Sequence, residues 1–255
     1  MTFDRVLLIA PHPDDEVIAA GGLIQRAGEL RVVFITSGEN NPWPQRAMRR
    51  TWRITDADRA EWAAMRRREA LASLAVLGAP ADCASFLDFP DGRIAALARR
   101  GDASLRDALR AHVDDFQPSL VVAPSMQDFH SDHRAVSWYA HQATGRGIVT
   151  YVVHGDGAPR RLRFTIALTD EERARKRRAI ECHVSQLLLG RRRFLSYAHG
   201  PEEFFAPELD LAYTESRVHT IRHACFALFG ARSARKEAAA DVEDRAGDVP
   251  GVLGG

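Results

Sequence analysis

The chain has 255 residues, 45% hydrophobic and 27% charged, which suits a soluble globular protein able to bury a substantial core. Its 35 Lys+Arg against 34 Asp+Glu leave a formal net charge of +1, so no global electrostatic case exists for nucleic-acid binding. No run approaches a membrane span, and the isolated Cys83, Cys182 and Cys225 form neither a disulfide framework nor a CxxC pair, so a reducing, cytoplasmic setting is expected. The first residues carry no basic segment leading into a long apolar stretch, and no signal peptide is expected.

In chain order, Val6 to Ala10 reads as a buried parallel strand. It runs into Pro11-His12-Pro13-Asp14-Asp15-Glu16, a turn because neither proline can donate to a sheet ladder. Asp14 or Asp15 is expected to cap the outgoing helix that carries Val17, Ile18 and Leu23. An imidazole and three carboxylates crowded at a strand's carboxyl end are costly unless a cation or substrate is received there.

Leu30 to Gly38 reads as a second buried strand ending in a turn, and Glu39-Asn40-Asn41-Pro42-Trp43-Pro44 is expected to be a proline-broken loop at its carboxyl end. Thr55 to Asp58 offers the cap of a long helix reaching Leu77, closed by Gly78 and Pro80. Ala84 to Phe89 reads as a third strand and Pro90-Asp91-Gly92 as a turn. Ser104 to Phe116 has helical spacing, and Leu120 to Pro124 is a fourth buried strand. The loop Ser125 to His133 ends in His130-Ser131-Asp132-His133, ahead of a helix opened by Ala135 and Val136. Ile148 to Val153 supplies a fifth strand. This alternation predicts an α/β, Rossmann-like fold with a mostly parallel sheet, helices on both faces and an active site at the strand ends. Asp170 begins a further helix carrying Lys176, Ala179, His183 and Leu187, and His219 to Phe229 reads as a short packed helix. Residues 1–230 are expected to form one domain and 231–255 a disordered tail.

The two histidine-carboxylate turns share one setting: strand, polar loop, helix start. A His-x-x-Asp pair from the first turn plus a histidine from the second makes two imidazoles and one carboxylate. That is a common catalytic zinc set with a position left for water. Asp14, beside such a ligand, would lie close enough to take a proton from that water. Each turn alone is as readily a capped helix start or a solvated loop; their pairing favours the metal.

The pair also resembles the hallmark of the PIG-L/LmbE-like zinc-dependent N-deacetylases, an (A/P)HPDDE turn and a later HxDH. Weaker similarities are Thr36-Ser37-Gly38-Glu39, Arg66 with Glu69 before Leu77-Gly78, and Lys176 through Ser185-Gln186. The resemblance implies zinc ligands His12, Asp15 and His133, with Fe2+ able to occupy the same donors. It implies Asp14 as general base, His130 as the group that stabilises or protonates the tetrahedral intermediate, and Asp132 as a carboxylate orienting a histidine. Glu16 would serve the helix N-terminus. The implied reaction removes acetyl from an N-acetylglucosamine-type sugar or glycoconjugate. This chain departs from the commonest pattern at Pro11, Ser37 and Ser131, where alanine, aspartate and proline are usual; Ser37 puts a substrate contact in question.

Glu39, Arg66 and Asp91 are candidate substrate-binding groups, with a solvated helix face and a turn as their plainer readings. Trp43 has a sugar-stacking and a local-packing reading. His183 reads as a packed histidine or a pocket-rim group. The arginines at 66–68, 173–178 and 191–193 read as solvated helix faces. A peripheral membrane contact through Arg191 to Arg193 and Ala224 to Phe229 is the less favoured reading. Two rivals remain: a non-catalytic sugar- or nucleotide-binding module, which lacks a Gly-x-Gly-x-x-Gly turn, and a non-haem Fe(II) oxygenase using His130, Asp132 and His183, which ignores the first turn. Oligomeric state is not readable from the sequence.

Overall fold

The computed structural model describes residues 1–145, 147–155 and 160–207. The elements are β1 (Phe3–Ala10), α1 (Asp15–Gln25), β2 (Ala27–Phe34), α2 (Pro42–Arg49), α3 (Asp56–Leu77), β3 (Ala84–Phe86), α4 (Ile94–Arg99), α5 (Ser104–Phe116) and β4 (Leu120–Pro124). They continue with α6 (Ser131–Thr144), β5 (Ile148–Tyr151), β6 (Leu162–Ile166), α7 (Asp170–Glu181), α8 (Val184–Leu187), α9 (Arg191–Ser196) and β7 (Glu202–Phe205). The tail and the expected helix at 219–229 lie outside the described residues.

β1 is apolar without alternation because both faces are covered. Val6, Leu8 and Ala10 pack with residues of α1, α3 and α7, whereas Leu7 and Ile9 pack with α4, α5 and α6. The result is an α/β/α sandwich around a sheet of order β3-β2-β1-β4-β5-β7-β6. The first five strands in that row are parallel; β7 runs antiparallel to both β5 and β6. Strand order reverses between β1 and β4, the switch point at which open α/β sheets receive ligands.

The long α3 begins and ends where its signals lie. Thr55 and Asp58 form a reciprocal capping box, and Gly78 closes the helix at φ +85°. The segment read as a proline-broken loop instead contains α2. Pro42 occupies its first turn, where no N–H is required, and the Asn41 side chain accepts from Trp43 N. α6 starts earlier than expected, so Asp132 and His133 sit in its first turn with His130 as the cap. The helix expected to carry His183 ends at Glu181, and His183 sits at the head of α8. α4, β6 and β7 carry too little periodicity to have been read.

α1 breaks its helical geometry at Ala20 (φ −139°, ψ 22°), which frees backbone groups in the interior. A buried ion pair satisfies them. Lys176 Nζ donates to Ile18 O (2.9 Å) and to Glu202 Oε1 (2.7 Å), while the Glu202 carboxylate accepts from Gly22 N (2.6 Å) and Leu23 N (3.0 Å). A Cβ on Gly21 would lie 2.9 Å from Lys176 Cγ, so the pair needs a glycine there. This staple fixes the direction of the α1 N-terminus, which carries the first acidic cluster.

Candidate metal centre and active site

The turn after β1 folds back on itself. His12 N donates to Asp15 Oδ2 (2.9 Å), and His12 Nδ1 lies 3.2 Å from the same oxygen. Asp14 does not cap α1 as expected: its side chain makes no cap bond, and its φ of 115° is strained for a residue with a Cβ. The strain is held by its surroundings. Glu16 Oε2 accepts Asp14 N (2.8 Å), and Arg66 pairs with Asp14 Oδ1 (3.3 Å) while donating to Pro13 O and to Gly38 O (3.1 Å).

The second turn approaches from β4. His133 Nε2 lies 3.2 Å from Asp15 Oδ2, and His133 Nδ1 lies 3.1 Å from Asp128 Oδ2. His12 Nε2 lies 3.2 Å from Asp91 Oδ1. Each imidazole therefore sits between Asp15 and a carboxylate of its own. Donor atoms of His12, Asp15 and His133 lie within 4.8 Å of one another. His12, Asp91 and Asp132 meet the same spacing, but that group is carboxylate-rich, and Asp132 Oδ2 already accepts Gly92 N (2.7 Å).

Both ring nitrogens of His133 and Nε2 of His12 are buried without a well-aligned hydrogen bond. Atoms that crowd a point without aiming at one another suit ligands around a shared cation better than a hydrogen-bond network. The electrostatics agree. Burial disfavours a charged imidazole, yet Asp15 and Asp128 outweigh it and raise His133 to about 10. Burial opposes ionisation of Asp128 too, but His133 lowers it to about 2. Without a metal the cluster holds a proton; the residues present fit a metal in its place.

Asp14 titrates differently. Burial raises its carboxyl to about 6, with Asp15 and Glu16 adding to the rise and Arg66 opposing it. A carboxylate of that basicity beside a metal centre is suited to move protons near neutral pH. The His130 ring stands edge-on to His12, with centroids 4.8 Å apart, and its Nδ1 accepts Asp132 N (3.2 Å).

The three candidate substrate-binding residues are engaged within the protein. Arg66 is buried against the first turn and donates to its backbone and to Gly38 O, so the solvated-face reading does not describe it. Asp91 places one oxygen against His12 and the other on Asn40 N (2.8 Å); Glu39 Oε1 accepts Asp91 N (2.9 Å). Arg67 is likewise held, by Asp88 and by Ser37 Oγ (2.9 Å). His183 is buried with Nε2 3.2 Å from Glu16 Oε1, away from the Fe(II) grouping with His130 and Asp132. Asp132 Oδ2 lies 3.9 Å from His12 Nε2 and braces the turn at Gly92; the carboxylate against His133 is Asp128.

The family profile of PIG-L, described as GlcNAc-PI de-N-acetylase, matches residues 7–144. The chain belongs to the PIG-L family. Both histidine-carboxylate turns fall inside the matched segment, whereas Lys176, His183 and Glu202 lie beyond it. No curated protein sequence matches significantly. Among solved structures, the A40926 pseudoaglycone deacetylase Dbv21 is 21% identical with a TM-score of 0.61, covering 82% of this chain and 99% of that one. The N,N'-diacetylchitobiose deacetylase from Pyrococcus horikoshii is 24% identical with a TM-score of 0.58, covering 84% and 87%. GalB, the 4-carboxy-2-hydroxymuconate hydratase from Pseudomonas putida KT2440, is 21% identical with a TM-score of 0.57, covering 78% and 83%. The likeness in each case is one of fold, and the fold carries both deacetylases and a hydratase, so the chemistry must be argued from the site.

Two residues of this PIG-L site escaped the sequence reading. Asp128 looked like a loop acid; its signal was its place two residues before His130 at the end of a buried strand. His154 had no motif spacing, yet β5 delivers it to the cluster, with ring centroids 5.3 Å from His133 and 5.8 Å from His130. Its backbone N–H donates to Asp128 Oδ2 (3.1 Å), and burial lowers its imidazole to about 4.

Proposed function

We propose that this PIG-L family chain is a metal-dependent N-deacetylase that hydrolyses the acetamide of an N-acetylglucosamine-type sugar or glycoconjugate. One observation carries the reading: His12, Asp15 and His133 converge beside Asp14, a buried carboxyl raised to about 6. His12, Asp15 and His133 would hold the metal, with zinc favoured by two imidazoles and one carboxylate and Fe2+ accepted by the same donors. When bound, the metal polarises the amide carbonyl and lowers the pKa of water.

The chain's own residues do the rest. Asp14 takes the proton of the water that attacks the carbonyl carbon. Arg66 and Glu16 hold Asp14 in its strained conformation, so the base is pre-aligned. His130 supports the tetrahedral oxyanion, and Asp132 N fixes its ring through Nδ1. The C–N bond then breaks, the proton on Asp14 passes to the leaving nitrogen, and acetate and the amine depart. Asp128 and Asp91 hold the two ligand imidazoles from their far sides. A cytoplasmic setting is part of the proposal, supported by the free thiols Cys83 and Cys182.

The test is amine release from a panel of N-acetylglucosamine conjugates, with and without a chelator. Hydrolysis lost on chelation and restored by zinc supports the reading. A metal-replete protein that releases no amine from any member of the panel refutes it.

A further inference from the structure

Five of the eight exposed large apolar side chains among the described residues lie on or beside two neighbouring helices. Trp43 (49% exposed), Met48 and Trp52 (79% exposed) lie on or just after α2, and Val184 and Leu188 bracket α8, which packs against α2. The Arg46 guanidinium lies between the two indoles, 5.2 Å from the Trp43 ring centroid and 5.9 Å from that of Trp52. Residues 43–53 hold four arginines and no acid. Arg49 is taken up by Asp58 and Glu61; Arg46, Arg50 and Arg53 have no carboxylate within ion-pair distance among the described residues. In a chain of net charge +1, this is a local concentration of unpaired cation.

Indoles prefer the boundary between water and hydrocarbon, and guanidinium forks match phosphate. An apolar rim on which three arginines stand without a carboxylate partner complements a surface with phosphates at the level of its headgroups and hydrocarbon beneath. A second copy of this chain would bring the same positive rim and be repelled. We propose that the α2–α8 rim is a peripheral docking surface for an anionic lipid membrane. Trp43, Met48, Trp52, Val184 and Leu188 enter the headgroup layer, and Arg46, Arg50 and Arg53 bind lipid phosphates. This differs from the contact suggested by the sequence alone: Arg191 is paired with Glu181 (2.9 Å), and 224–229 lies outside the described residues.

The rim is tied to the candidate centre. Gln45 of α2 donates to Glu39 O (2.8 Å), Glu39 holds the Asp91 loop, and His183 at the head of α8 meets Glu16. A glycoconjugate anchored in the same membrane would thus present its sugar to the strand ends. That last step rests on the deacetylase reading; the docking does not.

The test is co-sedimentation of the full chain with phosphatidylglycerol-containing vesicles and with pure phosphatidylcholine vesicles, at low salt and at about 0.5 M salt. Binding is expected to the anionic vesicles alone and to fall at high salt. Arg50→Glu/Arg53→Glu should weaken the partition on the order of tenfold or more, and Met48→Ser/Trp52→Ser should weaken it comparably. Hydrolysis of a water-soluble acetamido sugar should be unchanged in both variants. No binding, binding indifferent to salt and lipid charge, wild-type partition in both variants, or self-association through the rim each overturns the proposal. Wild-type protein that binds vesicles but leaves the soluble sugar intact would instead count against the deacetylase reading.

Discussion

Asp128→Asn probes the candidate metal centre through a residue that touches no substrate. The wild-type carboxylate is wholly buried and receives His130 N on Oδ1 (2.8 Å), with Val153 N (2.9 Å), His154 N (3.1 Å) and His133 Nδ1 (3.1 Å) at Oδ2. Asparagine keeps the volume but replaces one oxygen with an NH2 group. The cheaper orientation leaves oxygen toward Val153, His154 and His133 and sets NH2 against His130 N–H, two donors face to face. Leaving that amide unsatisfied costs about 1–3 kcal/mol of stability. The neutral oxygen also supports the His133 imidazole less, which should weaken metal binding roughly 10–100-fold, or about 1.4–2.7 kcal/mol. Competition against a chromophoric chelator reads the metal affinity, and urea denaturation of the metal-free protein reads the stability. Lost stability with metal affinity within about twofold of wild type would refute the reasoning and make Asp128 a loop brace alone.

In the proposed mechanism Asp14 can accept a proton only when ionised, so kcat/KM should fall as pH drops through about 6, and a pH profile without that acidic limb would contradict the assignment. The metal-free protein should show the opposite sense. His133 is raised from 6.5 to about 10, so its stabilising proton is fully bound below pH 6.5 and lost as pH climbs toward 10. Thermal unfolding of chelated protein across that range checks it, and stability that rises with pH would contradict it. Glu202→Ala strands the Lys176 ammonium and two α1 amides in the interior, for a loss of about 3–5 kcal/mol. Glu202→Gln/Lys176→Met should lose less than the two single changes summed, as denaturant unfolding will show; strict additivity would mean that the pair is not coupled.

Signals that act over a few residues could be read in the sequence, and those that depend on distant partners could not. Thr55, Asp58 and Gly78 bound α3 because a cap and a left-handed terminus are local requirements. Val6 to Ala10 and Leu120 to Pro124 announced strands because both of their faces are covered. Pro42 and Pro44 suggested a loop, yet a proline in the first helical turn costs nothing, and α2 formed behind the Asn41 cap. At the site, His12, Asp15 and His133 were legible as donor types after buried strands. Arg66 was not legible as a buried clamp, nor Asp91 as the carboxylate against His12, because both depend on where the loop after β2 and the turn at Asp91 close over the β1 turn. The sequence of α7 gave Lys176 a place on a helix face but not its partner Glu202, which arrives on a strand at the sheet's antiparallel end.

The central claim is that His12, Asp15 and His133 hold one metal while Asp14 does the chemistry beside it. Elemental analysis of purified wild-type, Asp15→Asn and Asp14→Asn proteins, paired with amine release from an acetamido sugar, tests it most directly. About one metal per chain is expected in wild type, little in Asp15→Asn, and a full complement in Asp14→Asn with turnover reduced on the order of 100–10,000-fold. Wild-type protein that binds no metal even when zinc is added, or Asp14→Asn that keeps both its metal and its turnover, would contradict it.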